Sequence, residues 1–277
     1  MKHTQLSLVL VALIVAMPVA AQQAAPQQSA QQPAAAPAAT AAPQTAPAAP
    51  ATASAQASSG VGQVTHLSGT LVSRMDGQNQ PRLLANRSAI SPGETLATQS
   101  DTYARVKFKD GTEVVLRPNT QFKIEAYSYD EKEPAKDNII FGLLKGGLRS
   151  VSGLMSKRNR DKIQYSTATA TVGIRGTHFG MLLCSADCAG IPTVSGIMPA
   201  DGLHVDVAAG QIVVTNSLGV QIVNPGQFGY VPGAGAAPTI VPPSNGVRVT
   251  MPAVIASNNT GGRTIGSAAV GQADCRP

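Results

Sequence analysis

The 277-residue chain contains 27 Gly and 20 Pro, only 13% charged and 4% aromatic residues, and no Trp, with a formal charge of +6. Coiled coils and helical bundles draw on Ala, Glu, Lys and Leu at helical spacing rather than on turn formers, so both are excluded. The 43% hydrophobic content owes much to Ala in a low-complexity tract near the start.

In chain order, Lys2 and His3 precede the apolar run Leu6 to Met17, then Pro18 and the small residues Ala20 and Ala21. This is the pattern of a signal peptide over residues 1–21. A run of about a dozen residues falls short of the roughly 20 that a membrane-spanning helix needs. The expectation is a chain exported to the periplasm or the exterior, with no membrane span after cleavage near Ala21. Loss of Lys2 leaves 20 basic and 15 acidic side chains. Residues 22–60 contain only Gln, Ala, Pro, Ser, Thr and Gly. Such a tract cannot bury enough surface to offset its ordering entropy, so it reads as a disordered linker, either a tether or an unconstrained tail.

The next residues signal strands. Val64 to Ser73 is a β-rich run interrupted at Gly69, and Asp76-Gly77 supplies a turn. Tyr103, Val106 and Phe108 lead into Asp110-Gly111, and Val114 to Leu116 lead away, which predicts a hairpin with a tight primed turn. Arg105, Lys107 and Lys109 alternate onto the opposite face, which should be wet. Phe122 and Ile124, in antiphase with Lys123 and Glu125, give another half-buried strand, and Leu203 to Thr215 and Val220 to Val223 give more. There is a faint repeat: Val64, Leu67, Gly69 and Leu71 are echoed by Val205, Val207, Gly210 and Ile212, and Ser91-Pro92-Gly93 by Asn224-Pro225-Gly226. Strands punctuated by Gly point to an all-β protein, a β-sandwich or an irregular β-coil of solenoid type. Its core spans 61–180 and continues through 181–232, with an irregular Gly- and Pro-rich segment at 233–277 acting as a coat.

The order of Gly69, Gly93-Glu94-Thr95-Leu96, Ala104 to Thr112 with Asp110-Gly111, Leu116 with Pro118-Asn119, Lys145-Gly146-Gly147-Leu148 and Thr167 to Thr177 resembles the extracytoplasmic FecR domain over about Val61 to Phe179. The resemblance implies an all-β module that senses or relays through protein contacts, without catalysis or cofactor. FecR regulators of the iron-transport type also have a cytoplasmic segment controlling a sigma factor and a membrane helix. This chain has a leader where those would lie, so the resemblance is to a stand-alone exported member.

Candidate contact residues follow from charge and hydroxyl patterning. Between Val61 and Met181 there are 17 basic against 11 acidic side chains, densest at Lys157, Arg158, Arg160 and Lys162. That cluster is either a solvated loop or a meeting point for phosphate, acidic polysaccharide or an acidic protein face. Thr167, Thr169 and Thr171 alternate with small apolar residues as in one strand. Arg175, between Gly173 and Gly176, either caps carbonyls at a bend or binds a partner carboxylate. Thr177 and His178 adjoin it, His178 either as a pH-sensitive contact or as a packed or solvated side chain. Of the three cysteines, Cys184 and Cys188 form the nearest pair for a disulfide; bridging one of them to Cys275 would instead pin the C-terminus, and a metal site with His178 and His204 is the remaining option. No nucleophile elbow, zinc-protease helix or phosphate loop is present. The reading is therefore a non-enzymatic adaptor in the cell envelope with no cofactor or metal, whose partner is an envelope protein, a membrane sensor or receptor. The alternatives are a structural β protein binding acidic envelope polymer, and a carbohydrate-active enzyme with scattered carboxylates. Nucleic acid is not expected as a partner.

Overall fold

The computed structural model describes residues 60–188 and 190–257. The leader, the linker up to residue 59 and Cys275 lie outside the described residues. Among those described, seventeen strands follow one another: β1 (Gly62–Ser68), β2 (Leu71–Met75), β3 (Arg82–Leu84), β4 (Ala89–Ile90), β5 (Glu94–Thr98), β6 (Tyr103–Phe108), β7 (Glu113–Leu116), β8 (Gln121–Ser128), β9 (Asn138–Val151), β10 (Ile163–Ser166), β11 (Thr171–Ile174), β12 (His178–Cys184), β13 (Gly202–Ala209), β14 (Ile212–Asn216), β15 (Gly219–Val223), β16 (Phe228–Val231) and β17 (Thr239–Val241). Helix is confined to short pieces such as α1 (Met155–Arg158) and α2 (Ala253–Ser257). The protein is all-β.

The strands form two layers. In the first the order is β4, β1, β6, β7, the second half of β9, β12, β13, β16, β17. In the second it is β3, β2, β5, β8, the first half of β9, β10, β11, β14, β15. Because β9 belongs to both, the hydrogen-bonded ladder is continuous. It is a mixed sheet, since β9 and β10 run parallel while the other pairs are antiparallel. The chain passes between layers every one or two strands, so the sandwich is wound as a coil.

Glycine marks the corners. Gly69 links β1 in the first layer to β2 in the second with φ of +104°, and Gly210 links β13 to β14 in the same sense with φ of +76°. The sequence echo thus corresponds to a repeated crossing. At Gly93 and Gly226, φ is +81° and +80°, each after a Pro, as a turn with Pro before a left-handed residue requires. A third crossing lies inside β9, at Gly146 with φ of +78°.

Between the layers lies one apolar core to which nearly every strand contributes. The chain has only five Phe, and four of them join Tyr165 in a connected row: Phe141 of β9 lies 4.7 Å from Phe108, 5.2 Å from Phe122 and 5.2 Å from Tyr165, which meets Phe179 edge-on at 5.1 Å. Such offset and edge contacts add to the burial of large rings. A smaller cluster, Leu182, Cys184, Cys188, Val247 and Val249, with Ile191 and Met251 packed against it, lays Cys188, Ile191 and the 247–251 segment over part of the outer face of the first layer.

Three local expectations are corrected. The β6–β7 hairpin is not closed by a primed turn: only Gly111 of the pair has positive φ, +85°. Asp110 instead turns its carboxylate inward, accepting from Thr112 N–H at 3.1 Å, Thr112 Oγ1 at 2.6 Å and Tyr127 Oη at 3.0 Å. Burial beside that carboxylate pushes the Tyr127 phenol far up. Arg105 does not sit on a wet face; it is 4% exposed, with Nε and one terminal nitrogen unpartnered, while Lys107 and Lys109 are exposed. Thr167 to Val172 is not one strand, because Thr167 Oγ1 accepts from the N–H groups of Thr169 at 3.2 Å and Ala170 at 3.1 Å and so turns the chain between β10 and β11.

A Cβ at Gly210 would meet the Gly176 carbonyl and Thr177 Cα, whereas one at Gly77, φ +75°, meets nothing within 4 Å. Gly210→Ala is expected to cost about 3 kcal/mol and Gly77→Ala about 1 kcal/mol, read from urea unfolding.

Candidate binding surface

The outer face of the second layer carries a shallow trough of about 330 Å³. Its floor is β11, held between β10 and β14 with Gln164 and Val213 both opposite Gly173. Gly173 leaves a gap in the side-chain carpet, since a Cβ there would meet only the Val213 carbonyl, at 3.9 Å. Thr171 and Thr215 flank it as a cross-strand pair. Arg175, Arg160 and Asp161 complete the wall.

Arg175 and Arg160 are exposed, and among the described residues neither guanidinium has a hydrogen-bond or ion-pair partner. Arg175 is fixed only through its backbone, whose N–H donates to the Gln211 carbonyl at 3.0 Å. It does not cap carbonyls with its side chain. A guanidinium presents planar pairs of donors suited to a carboxylate, and two of them beside hydroxyls form a surface that favours anionic groups.

The remaining candidate residues have other positions. Lys157 is exposed on α1. Arg158 is engaged internally: Nε donates to Asp137 at 2.8 Å, another nitrogen to its second oxygen at 2.8 Å, and its nitrogens also reach the carbonyls of Asp130 and Glu131. Its guanidinium also lies 4.6 Å from the centre of the Tyr129 ring. The Asp137 side chain is fully buried, and the bonds from Arg158 and Asn159 outweigh that burial and hold its carboxyl below the ordinary range. Arg158 therefore ties the 129–137 loop to α1 and is unavailable to a partner. Thr177 is 3% exposed; its N–H donates to Ser152 Oγ at 2.8 Å. Gly176, with φ of +66°, makes the bend between β11 and β12.

His178 faces the outer side of the first layer, away from the trough. Arg149 Nε donates to His178 Nε2 at 2.7 Å, and the same guanidinium reaches Asp206 at 3.1 Å and the Val249 carbonyl at 2.5 Å. Burial, then the Arg149 charge, pushes His178 down to about 4, so the ring is neutral near pH 7. Burial raises the Asp206 carboxyl against the pull of Arg149. Arg149 and Asp206 were not singled out by motif. The sequence signal for Asp206 is a lone acid within the apolar run from Leu203 to Ala209.

Cys184 and Cys188 are joined by a disulfide with Cα atoms 5.5 Å apart, and both are buried in the cluster under Val247 and Val249. No group of three or more metal-ligating side chains is found among the described residues. No helix among them is long and apolar enough to cross a membrane.

Residues 94–195 match the family model described as FecR protein. The match takes in Asp110, Gly111, the trough residues from Arg160 to Arg175 and the disulfide loop. Two crystal structures of a "putative anti-sigma factor" from Parabacteroides distasonis ATCC 8503, at 2.50 and 1.65 Å resolution, are similar at 16% identity, with TM-scores of 0.40 and 0.39. Each comparison covers 53% of this chain and 58% of the other, so the chain spans under two thirds of those proteins. No curated protein matches the chain significantly.

The neutral His178 gives a signed pH dependence. Its folded pKa lies below the ordinary value of 6.5, so the unfolded chain takes up a proton first as pH falls. Stability from this group is full above about pH 6.5 and declines as pH drops toward 4. His178→Gln, which keeps an acceptor for Arg149, is expected to flatten the fall in unfolding midpoint between pH 7 and 4, read by thermal denaturation across that range.

Proposed function

We propose, from the FecR domain that the chain carries at residues 94–195, that it is a non-catalytic sensing or adaptor module acting by protein contact through the outer face of β10, β11 and β14. One observation carries this reading: Arg160 and Arg175 stand unpaired over a side-chain-poor floor at Gly173. Other arginines of the same half, among them Arg82 with Glu94 and Arg158 with Asp137, are tied into the fold. Arg175 directly follows β11 and Arg160 lies in the short turn before β10, so the backbone fixes where both guanidiniums stand. A partner that engages them breaks no internal ion pair, although it must still order the two side chains. The partner chemistry that fits is an acidic stretch of an envelope protein lying across the strands, its carboxylates facing the two guanidiniums and its main chain near Thr171 and Thr215. Export by cleavage near Ala21 and a spacing role for residues 22–60 complete this reading. Lys157, exposed on α1, adds to the basic character of this part of the surface, whereas Arg158 and Thr177 are held inside the fold and His178 stands on the other layer, so none of these three contacts the partner.

In-cell crosslinking of the tagged chain, followed by mass spectrometry, tests the proposal. Arg175→Ala is expected to reduce capture of a defined membrane or envelope protein at least tenfold, as loss of one charge-assisted contact of about 1.5–3 kcal/mol implies. The unfolding temperature should stay unchanged, because the side chain is exposed. An unchanged partner set in the variant sinks the site. Co-sedimentation with purified acidic cell-wall polymer at low salt, without any protein partner, would move the assignment to the structural alternative.

A further inference from the structure

The open edges of the two layers are guarded unequally. The first layer ends at β17, three residues set between Pro238 and Pro242, and at β1, which carries a bulge between Val64 and His66 and is partly covered by β4. The second layer ends on one side at β3, three residues whose Arg82 is bound to Glu94 and to the Ala89 carbonyl. Short length, proline, bulges and charge are the devices that keep sheet edges from pairing with other chains. Its other edge, β15, has none of them. It is five residues long and in unbroken register with β14, without proline or charge. Val220 and Ile222 stand on its outer face, 64% and 45% exposed.

The backbone of β15 is equally open. Asn216 and Gly219 close a two-residue hairpin loop, so they form a hydrogen-bonded pair, and alternation then turns the N–H and C=O of Val220 and Ile222 away from β14. Among the described residues the only ladder in register with β15 is that of β14, since β16 ladders with β13 and β17. The Ile222 carbonyl accepts from Gln221 Nε2 at 2.8 Å, which leaves its second lone pair.

We propose that β15 is a self-association edge, joining two copies of this chain antiparallel about a two-fold axis at Gln221. The register selects a second copy. With the axis at Gln221, Val220 of one copy faces Ile222 of the other, and the outward N–H and C=O groups of both positions meet as hydrogen-bonded pairs, four bonds in all. Each pair also brings two exposed β-branched side chains together on one face, the kind of cross-strand contact that favours pairing. Charge permits it: Ile212 to Val223 contains no ionisable side chain, although the chain as a whole carries +6. Because the axis is perpendicular to the sheet, both troughs come to lie on one continuous face. This proposal does not depend on what the trough binds.

The test uses the full chain. Sedimentation velocity at about 100 μM is expected to show a reversible dimer, weak because the contact is small. Val220→Lys should weaken it at least tenfold, and Val220→Thr should keep it. In a Cys275→Ser background, Gln221→Cys should form an intermolecular disulfide under mild oxidation much faster than Lys109→Cys, an exposed control on the β6–β7 turn. Circular dichroism of each variant checks that the fold is intact. A monomer at that concentration with no preferential crosslink at position 221 overturns the proposal. So does a dimer that survives Val220→Lys, and so does an edge that pairs only with a strand of another protein.

Discussion

A strand that joins two packed layers must leave one ladder and enter the other without leaving backbone groups unpaired, and β9 does this by bending at Gly146. A Cβ there would lie 2.7 Å from the Asn119 carbonyl and 2.6 Å from Thr120 Oγ1, so both φ and space require glycine. Thr120 Oγ1 secures the bend by accepting from Gly147 N–H at 3.0 Å and donating to the Gly147 carbonyl at 2.9 Å. Before the bend β9 pairs with β8 and β10, and after it with β7 and β12. Phe141, on the first half, is the ring against which Phe108, Phe122 and Tyr165 pack. Both the hydrogen bonding and the aromatic core therefore converge on one strand.

Much of this architecture was legible in the amino-acid order. Alternation in Tyr103 to Phe108 and Phe122 to Ala126, and the recurrence of Gly69 and Gly210, report local constraints, namely which face is apolar and where φ must be positive. Long-range facts were not legible in the same way. Arg105 alternates as a wet residue would, yet it is buried, because exposure depends on what chain passes above it. The Thr167–Thr171 pattern reads as a strand until the Thr167 hydroxyl is seen to cap its own turn. The β9–β10 parallel pairing leaves no periodic trace at all.

The candidate site shows the same division. Composition marks a basic segment from Lys157 to Lys162, but it does not separate the arginine that holds Asp137 from the one that faces solvent. That separation comes from a buried carboxylate 21 positions earlier in the chain. Likewise Arg175, Thr177 and His178 are near neighbours in sequence, yet they stand on the trough, in the interior and on the opposite layer. A bend at Gly176 sends the chain from one layer to the other between them. A motif that is compact along the chain is therefore dispersed in space, and only its first member meets the trough.

The double role of β9 also bears on the order in which the protein is made. A chain that emerges N-terminus first has β1 to β8 and the whole of β9 available once Val151 is clear, and the pairings of β9 with β7 and β8 are then complete. Its other side stays bare until β10, complete at Ser166, covers the first half and β12, complete at Cys184, covers the second. During that interval the newborn half exposes a strand fourteen residues long. The finished molecule has hidden its longest strand by placing it at the centre, at the expense of a vulnerable window during synthesis.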